Sequence, residues 1–397
     1  MNITEKQIRS FRLRAHHLDR KLPAKQMLDA AGACGLQNTP PGAWETSMHN
    51  RLDGCTLQSL NNALYHEKSL LQAWGFRGVP VVFPTVESDV FLTPLIAQAD
   101  EQPWIYTLGI TGALDHLRMP FDDLFTRLKE AIPYLDHHTI KSKESLDRTL
   151  ADIMADKLPE DKKARWRDPS MYGNPEKHTV GEAAVSFLLR PCSFSSLVVF
   201  GERQGISPTF TSYASWIGHA PVSIPGADQA LVRKFLHCYG PATVDSFMNW
   251  LGCSPKQAYR LWSTLTDEIE PVQVRGKTCY ILSEDKDSLL SAKCDDEKLM
   301  LLGAHDPYLD LKDREMILED KSLQTKVWQY VANPGAVLKG GRVIGTWKAK
   351  TLKDKLDSSI KLWEPVSPAQ SKLLGQLAEE YAAFRLLQIR NNTIETM

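Results

Sequence analysis

The side chains of this sequence best placed for chemistry are cations at the ends and edges of local elements, not nucleophiles. Lys256 and Arg260 fall on the outward side of an amphipathic segment, and Arg275 and Lys277 flank Gly276 in a turn. Arg77, Lys339 and Arg342 sit beside glycines at what read as hairpin tips. Long cations in such places reach phosphate oxygens, a contact that is independent of base sequence and weakened by salt. Other chemistries find less support. His16-His17 and His137-His138 are adjacent pairs, not the one-face spacing of a helical metal site, and no cysteine cluster accompanies them. Gly340-Gly341 with Gly345 lacks the order of a nucleotide-phosphate loop. No metal and no cofactor is therefore expected. Asp306 is a fallback carboxylate, although Asp-Pro more often starts a turn.

The first four cations need a scaffold, and the stretch from Ala227 to Leu282 supplies one. Leu231, Phe235 and Leu236 share one side of a helix that stops at Gly240-Pro241. Thr243 caps a second helix burying Val244, Phe247 and Leu251, with Gly252 at its end. Ser254, Pro255 and Gln257 open a third, whose stripe is Ala258, Leu261 and Leu265. Val272 and Val274 then alternate inward, and Tyr280 and Leu282 continue after the turn. Three helices followed by a hairpin is the order of a winged helix, which can dock on DNA and which also serves as a protein-binding module.

A chain of 397 residues exceeds one small core. Hydrophobic content of 43% and charged content of 24% are those of a globular protein, and a net charge of -1 gives no overall attraction to nucleic acid. Basic charge is instead segregated. Seven cations face two acids in residues 1–28, and seven again face Asp354 and Asp357 between Lys339 and Lys361. Seven scattered cysteines without a C-x-x-C pair suit a reducing compartment, and no apolar run approaches the ~20 residues that span a bilayer, so a cytoplasmic protein is expected.

Elsewhere the pattern predicts helices over 4–20, 23–35, 44–52 and 56–65, then paired strands at 70–76 and 79–83 joined at Arg77-Gly78. Residues 89–117 read as a connecting segment with helical pieces. Further helices are expected at 121–132, 145–154 and 180–189, and strands at 197–200 and 209–213. Residues 331–350 alternate as a hairpin turning at Lys339–Arg342, and a final helix runs over 367–389. The expected fold class is α+β: tandem winged-helix units at 1–88, 89–226 and 227–283, then a small β-barrel-like region and a terminal helix at 284–397.

Several segments carry a resemblance. Tyr239-Gly240-Pro241-Ala242-Thr243 with Trp250, Ala304-His305-Asp306-Pro307-Tyr308, and Asn333-Pro334-Gly335 through Gly345-Thr346-Trp347 resemble the AlkZ-like DNA glycosylases. The terminal helix around Ala378-Glu379 to Phe384 is similar as well. The resemblance implies tandem winged helices around duplex DNA and hydrolysis of the N-glycosidic bond of alkylated or crosslinked bases. It also places a catalytic glutamine early in the chain, followed by an apolar residue and then glutamine or aspartate. Gln37-Asn38-Thr39 occupies that place: Gln37 matches, Asn38 and Thr39 depart, and Val79 and Val81 stand where polar residues are expected after Arg77-Gly78. Gln37 would orient a water and Thr39 would add a weaker polar contact. The expected partner is damaged or alkylated double-stranded DNA. The competing readings are a non-catalytic regulator or damage sensor on the same fold, and a protein-interaction scaffold.

Overall fold

A computed structural model describes residues 3–104 and 108–396. Its α+β chain forms two compact units, one of Met1–His66, Val232–Trp250 and Leu265–Met397, the other of Glu67–Leu231 and Leu251–Thr264. Residues 105–107 of the expected connecting segment lie outside the described residues. Among those described, no helix is long and apolar enough to cross a membrane.

The first unit is built around a sheet covered on both faces. Its strand order is Gln388–Thr396, Lys355–Leu362, Arg342–Leu352, Gly335–Lys339, Leu299–Leu302. Successive side chains on a strand alternate faces, so the unbroken apolar run Leu299-Met300-Leu301-Leu302 supplies two cores at once. Leu299 and Leu301 join Val337, Ile344, Trp347, Leu374 and Ala378 beneath the helix Pro368–Phe384. Met300 and Leu302 join Ile8, Phe11, Leu13, Val272 and Val274 on the other face. That helix starts at a capping box, Ser367 with Gln370, as does Glu5–Ala15 at Thr4 with Gln7.

Two expectations change here. The sheet is open: among the described residues no pairing joins Gln388–Thr396 to Leu299–Leu302, so the barrel-like region is a five-stranded sheet. The terminal helix stops at Phe384, and residues 388–396 form a strand parallel to Lys355–Leu362. Leu386, at φ 58°, breaks the helix between them. Its polar sequence hid this strand, because an edge strand buries too little to show a period.

An ion pair ties the front of the chain to this sheet. Helix Ala43–Arg51 ends in Arg51, whose Nη1 and Nη2 donate to Asp306 Oδ2 and Oδ1 at 2.7 and 2.8 Å. Both side chains are essentially inaccessible, at 1% and 0% exposure. Arg51 also donates to the Ser47 carbonyl, and Asp306 accepts from the Tyr308 N–H. Burial alone would raise the Asp306 carboxyl, but the Arg51 charge and hydrogen bonds hold it below its ordinary value. Asp306 is thus a structural anion with both oxygens committed, not a spare base.

The second unit centres on the helix Val180–Phe194, begun by the Thr179/Glu182 capping box and packed on Lys143–Asp156 and Leu108–Leu117. Leu146, Leu150, Leu188 and Leu189 fill its core with Trp74, which stacks on Phe210 at 5.2 Å. Both expected hairpins form here, as Leu70–Trp74 with Pro80–Pro84 and Val198–Gln204 with Ser207–Ser212.

Replacing Asp306 by Asn would leave the Arg51 charge buried without its counterion, at a cost of about 3–5 kcal/mol. Urea unfolding should show this as a lowered midpoint. An unchanged midpoint would show that the pair does not hold this unit together.

Candidate functional site

Gln37 and Asn38 are buried, at 6% and 5% exposure, while Thr39 after them is exposed. The reason lies in the loop that follows. Asn38 Oδ1 accepts the Gly42 N–H at 2.7 Å, closing Thr39-Pro40-Pro41 into a turn, and Gly42 takes φ 92°. Glycine adopts that backbone without strain, and helix Ala43–Arg51 starts there. The Asn38 departure from the family pattern therefore has a structural use: its amide shapes the loop.

Arg385, just beyond the terminal helix, fixes the same loop from outside. Its Nη2 donates to the Gly42 carbonyl at 2.7 Å and to Thr46 Oγ1 at 2.9 Å, its Nε to Tyr381 Oη at 3.2 Å, and its Nη1 to Glu45. Glu45 is buried at 3% exposure, and the contact supplies its countercharge. No periodicity announced Arg385; it is one arginine past the end of an amphipathic pattern.

Beside this loop lies a cleft of about 400 Å³ bordered by Pro40, Pro41, Gly42, Ala304, Asn333, Pro334, Gly335, Trp347, Lys348, Tyr381 and Arg385. Residues from segments that looked alike only as separate motifs, Ala304, Asn333–Gly335 and Trp347, thus meet at one wall of the Gln37 loop. Trp347 is fixed edge-on to Tyr381 at 5.0 Å, and its indole N–H donates to the Leu302 carbonyl at 2.7 Å. Asn333 Oδ1 is buried with no hydrogen-bond partner among the described residues. Trp44, a candidate for stacking on a base, is instead core at 1% exposure. Among the described residues that border the cleft, the polar side chains are Asn333, Thr46, Tyr381, Lys348 and Arg385, and the adjacent Glu45 is paired with Arg385. Such a site can orient water and hydrogen-bond a polar ring, but offers no free carboxylate base.

The cations singled out in the sequence fare unequally. Arg260 does not point outward: its Nε and Nη2 fork onto Glu101 at 2.7 and 3.2 Å, its Nη1 meets Asp228 at 3.1 Å, and it is 23% exposed. Lys256 on the same helix pairs with Asp100 at the surface. The helix pattern showed which side was polar but not which distant acids would lie across it. Arg77 occupies the hairpin tip at φ 54°, with its guanidinium over the Phe76 ring. Arg275 pairs with Glu5, Lys339 with Glu297 and Arg342 with Glu364, while Lys277 is exposed. Lys348, Lys353 and Lys355 project from the hairpin Arg342–Leu352 and Lys355–Leu362 with no ion pair among the described residues. Val79 is half-buried and Val81 is core.

One further expectation fails. His16 does have sulfur neighbours: Cys34 and Cys238 bring donor atoms within 4.8 Å of it and of one another. The His137-His138 pair is exposed, with His138 stacked on Tyr134.

The architecture is that of an α+β protein similar in fold to a DNA glycosylase of known structure. Streptomyces sahachiroi DNA glycosylase AlkZ superposes with a TM-score of 0.74 at 20% identity, over 98% of this chain and 100% of that one. In sequence, the chain is 23% identical over 361 residues to an interstrand DNA cross-link repair glycosylase of Streptomyces sahachiroi, covering 88% of each protein. The profile of the family described as DNA glycosylase AlkZ-like matches residues 30–384, and the chain belongs to that family.

A titratable group links the two helices that frame this site. His49 stacks on Phe384 at 4.5 Å, and burial, aided by the charges of Lys21 and Arg385, pushes it down to about 4. Between pH 4 and the ordinary value near 6.5 the unfolded chain binds this proton and the folded chain does not, so stability there rises with pH. Acidification from pH 7 to 5 should destabilise the protein, with a His49 contribution of at most about 1.4 kcal/mol per pH unit. His49→Phe should shrink that slope in denaturation curves at the two pH values. Equal slopes for both proteins would remove His49 from the account.

Proposed function

We propose that this protein is a monofunctional DNA glycosylase that hydrolyses the N-glycosidic bond of alkylated or crosslinked bases in duplex DNA. The observation that carries the reading is the family match over residues 30–384; Gln37 lies within that range, where the resemblance leads us to expect the signature glutamine. An alkylated purine is cationic, so the C1′–N bond can break with its electron pair going to the base, which leaves neutral. The sugar is then an oxocarbenium ion. A water whose proton is hydrogen-bonded by the Gln37 amide oxygen adds to C1′ and releases that proton to solvent. Thr39, exposed on the same loop, contributes a second contact to the water or sugar. This chemistry suits a site without a free carboxylate, because the leaving group needs no acid.

In this reading the helix-and-hairpin segments are winged-helix units with the boundaries read from the sequence. The basic hairpin arm, with Lys339 and Arg342 at its turn, and the tips at Arg77, Arg275 and Lys277 hold the DNA backbone. Exposed ion pairs such as Arg342–Glu364 are worth at most about 1 kcal/mol, so they exchange readily for phosphate. Lys256 belongs to this exchangeable set. Arg260, forked on Glu101, contributes by fixing its helix. The site of action is the cytoplasm, where the DNA substrate of such an enzyme is reached. The Asn38, Thr39, Val79 and Val81 departures favour a second reading, a damage sensor that binds without cleaving.

Duplex DNA carrying a methylated purine should acquire abasic sites with this protein, and Gln37→Ala should slow that release about 100- to 10,000-fold with binding unchanged. Release at the wild-type rate in the variant would remove Gln37 from the chemistry. No release by the wild type, with binding intact, would establish the sensor. For the basic arm, Lys348→Gln with Lys355→Gln should reduce the slope of log K against log salt by about 2, near 0.9 per lost phosphate contact. An unaltered slope would place the DNA elsewhere.

A further inference from the structure

The first unit contains a donor cluster that the proposed reaction does not use. His16 directly follows the helix Glu5–Ala15, Cys34 lies just past Met27–Gly32, and Cys238 is in the last turn of Ala227–Tyr239. Their side chains converge in the interior, at 1%, 2% and 0% exposure. One donor atom from each lies within 4.8 Å of the other two, and His16 Nδ1 is 3.7 Å from Cys34 Sγ. We propose that His16, Cys34 and Cys238 bind a zinc ion.

Geometry and donor chemistry support this together. Zinc takes thiolate and imidazole at about 2.3 and 2.0–2.1 Å in a tetrahedron, so neighbouring donors stand roughly 3.5 Å apart. The His16–Cys34 separation already has that length, and the third donor needs only a small shift. Hydrogen bonding inside the protein serves the cluster poorly. Among the described residues His16 Nε2 is buried without a hydrogen-bond partner, and the sulfur contacts are long: Cys238 Sγ to the Ala33 and Ala15 carbonyls at 3.4 and 3.8 Å, Cys34 Sγ to the Gly35 carbonyl and to His16 Nδ1 at 3.7 Å each, and Tyr239 Oη to Cys34 Sγ at 3.8 Å. Sulfur hydrogen bonds of this kind are weak, and a cation in place of the thiol protons would bind both sulfurs and the imidazole far more strongly. Binding replaces two thiol protons, which leave to solvent, and two thiolates neutralise the ion with no change in oxidation state. Tyr239 Oη or a water completes the fourth position.

The consequence concerns the loop described above. Zinc would join the ends of three helices that are distant in sequence, and Cys34 lies three residues before Gln37. The ion would fix the origin of the Gln37 loop without touching the reacting atoms, independently of whether the protein cleaves DNA.

Cobalt titration of chelator-treated, reduced full-length protein tests this without any variant. Binding at about one ion per chain should give the near-ultraviolet thiolate-to-cobalt band and the strong visible bands of tetrahedral coordination, and zinc should bleach both. Zinc should also raise the Tm relative to chelator. Cys34→Ser and Cys238→Ser should each weaken the thiolate band, whereas Cys55→Ser and Cys253→Ser should leave it intact. Absence of a thiolate-to-cobalt band in the wild type, or its persistence at full strength in the Cys34→Ser, Cys238→Ser double variant, would overturn the proposal. So would a Cys34–Cys238 disulfide that forms in the presence of stoichiometric zinc.

Discussion

The fork between Arg51 and Asp306 is the contact on which the candidate site most depends. Desolvating two charges is expensive, and the cost is offset only where geometry is good and the remaining polar atoms are served. Here both conditions hold: two short parallel bonds, a third from Arg51 to Ser47, and a fourth from Tyr308 to Asp306. The pair secures the C-terminal end of helix Ala43–Arg51, while Arg385 secures its N-terminal end through Gly42, Thr46 and Glu45. A helix held by an arginine at each end is a rigid mount. The Gln37–Pro41 loop enters it through the Asn38–Gly42 hydrogen bond and takes its position from it.

That mount limits the chemistry as well as the geometry. Each acid near the loop is spent on an arginine, Asp306 on Arg51 and Glu45 on Arg385. A carboxylate that neutralises a buried cation cannot also accept a proton from water without releasing its partner. In the proposed reading the chemistry falls to the Gln37 amide and the Thr39 hydroxyl, groups that orient water but do not deprotonate it strongly. That proposal is consistent with a leaving group that carries its own positive charge.

How much of this was legible in the sequence depended on distance along the chain. Leu70–Trp74 with Pro80–Pro84 and the turn at Gly340-Gly341 could be read because each is a local pattern. Gln37 could be singled out only through the family resemblance, since a lone glutamine before a proline pair has no local signature. Arg260 was misread because Glu101 and Asp228 arrive from other parts of the chain, and a helical wheel carries no information about them. The same limit hid Arg385 beside Gly42 and brought Cys34 and Cys238 to His16 unannounced. Edge strand Gln388–Thr396 escaped for another reason: with so few buried positions, its sequence is indistinguishable from a polar tail.

The charge distribution follows from the same contrast between local and distant partners. A net charge of -1 gives no overall pull toward the polyanion of the proposed reading. Many of its acids are engaged in ion pairs, some permanently and some loosely. Arg51–Asp306 is sealed from water and cannot open without unfolding its surroundings. Arg342–Glu364 is exposed, and salt or phosphate can displace its acid at little cost, whereas in Lys339–Glu297 the lysine is half-buried and the glutamate exposed. Lys348, Lys353 and Lys355 need no displacement at all among the described residues. In the proposed reading such a protein presents a modest field at rest and a stronger one once a phosphate backbone displaces the loosely held carboxylates. On that reading, affinity for a polyanion would rest on which pairs are exposed, a property that net charge does not record.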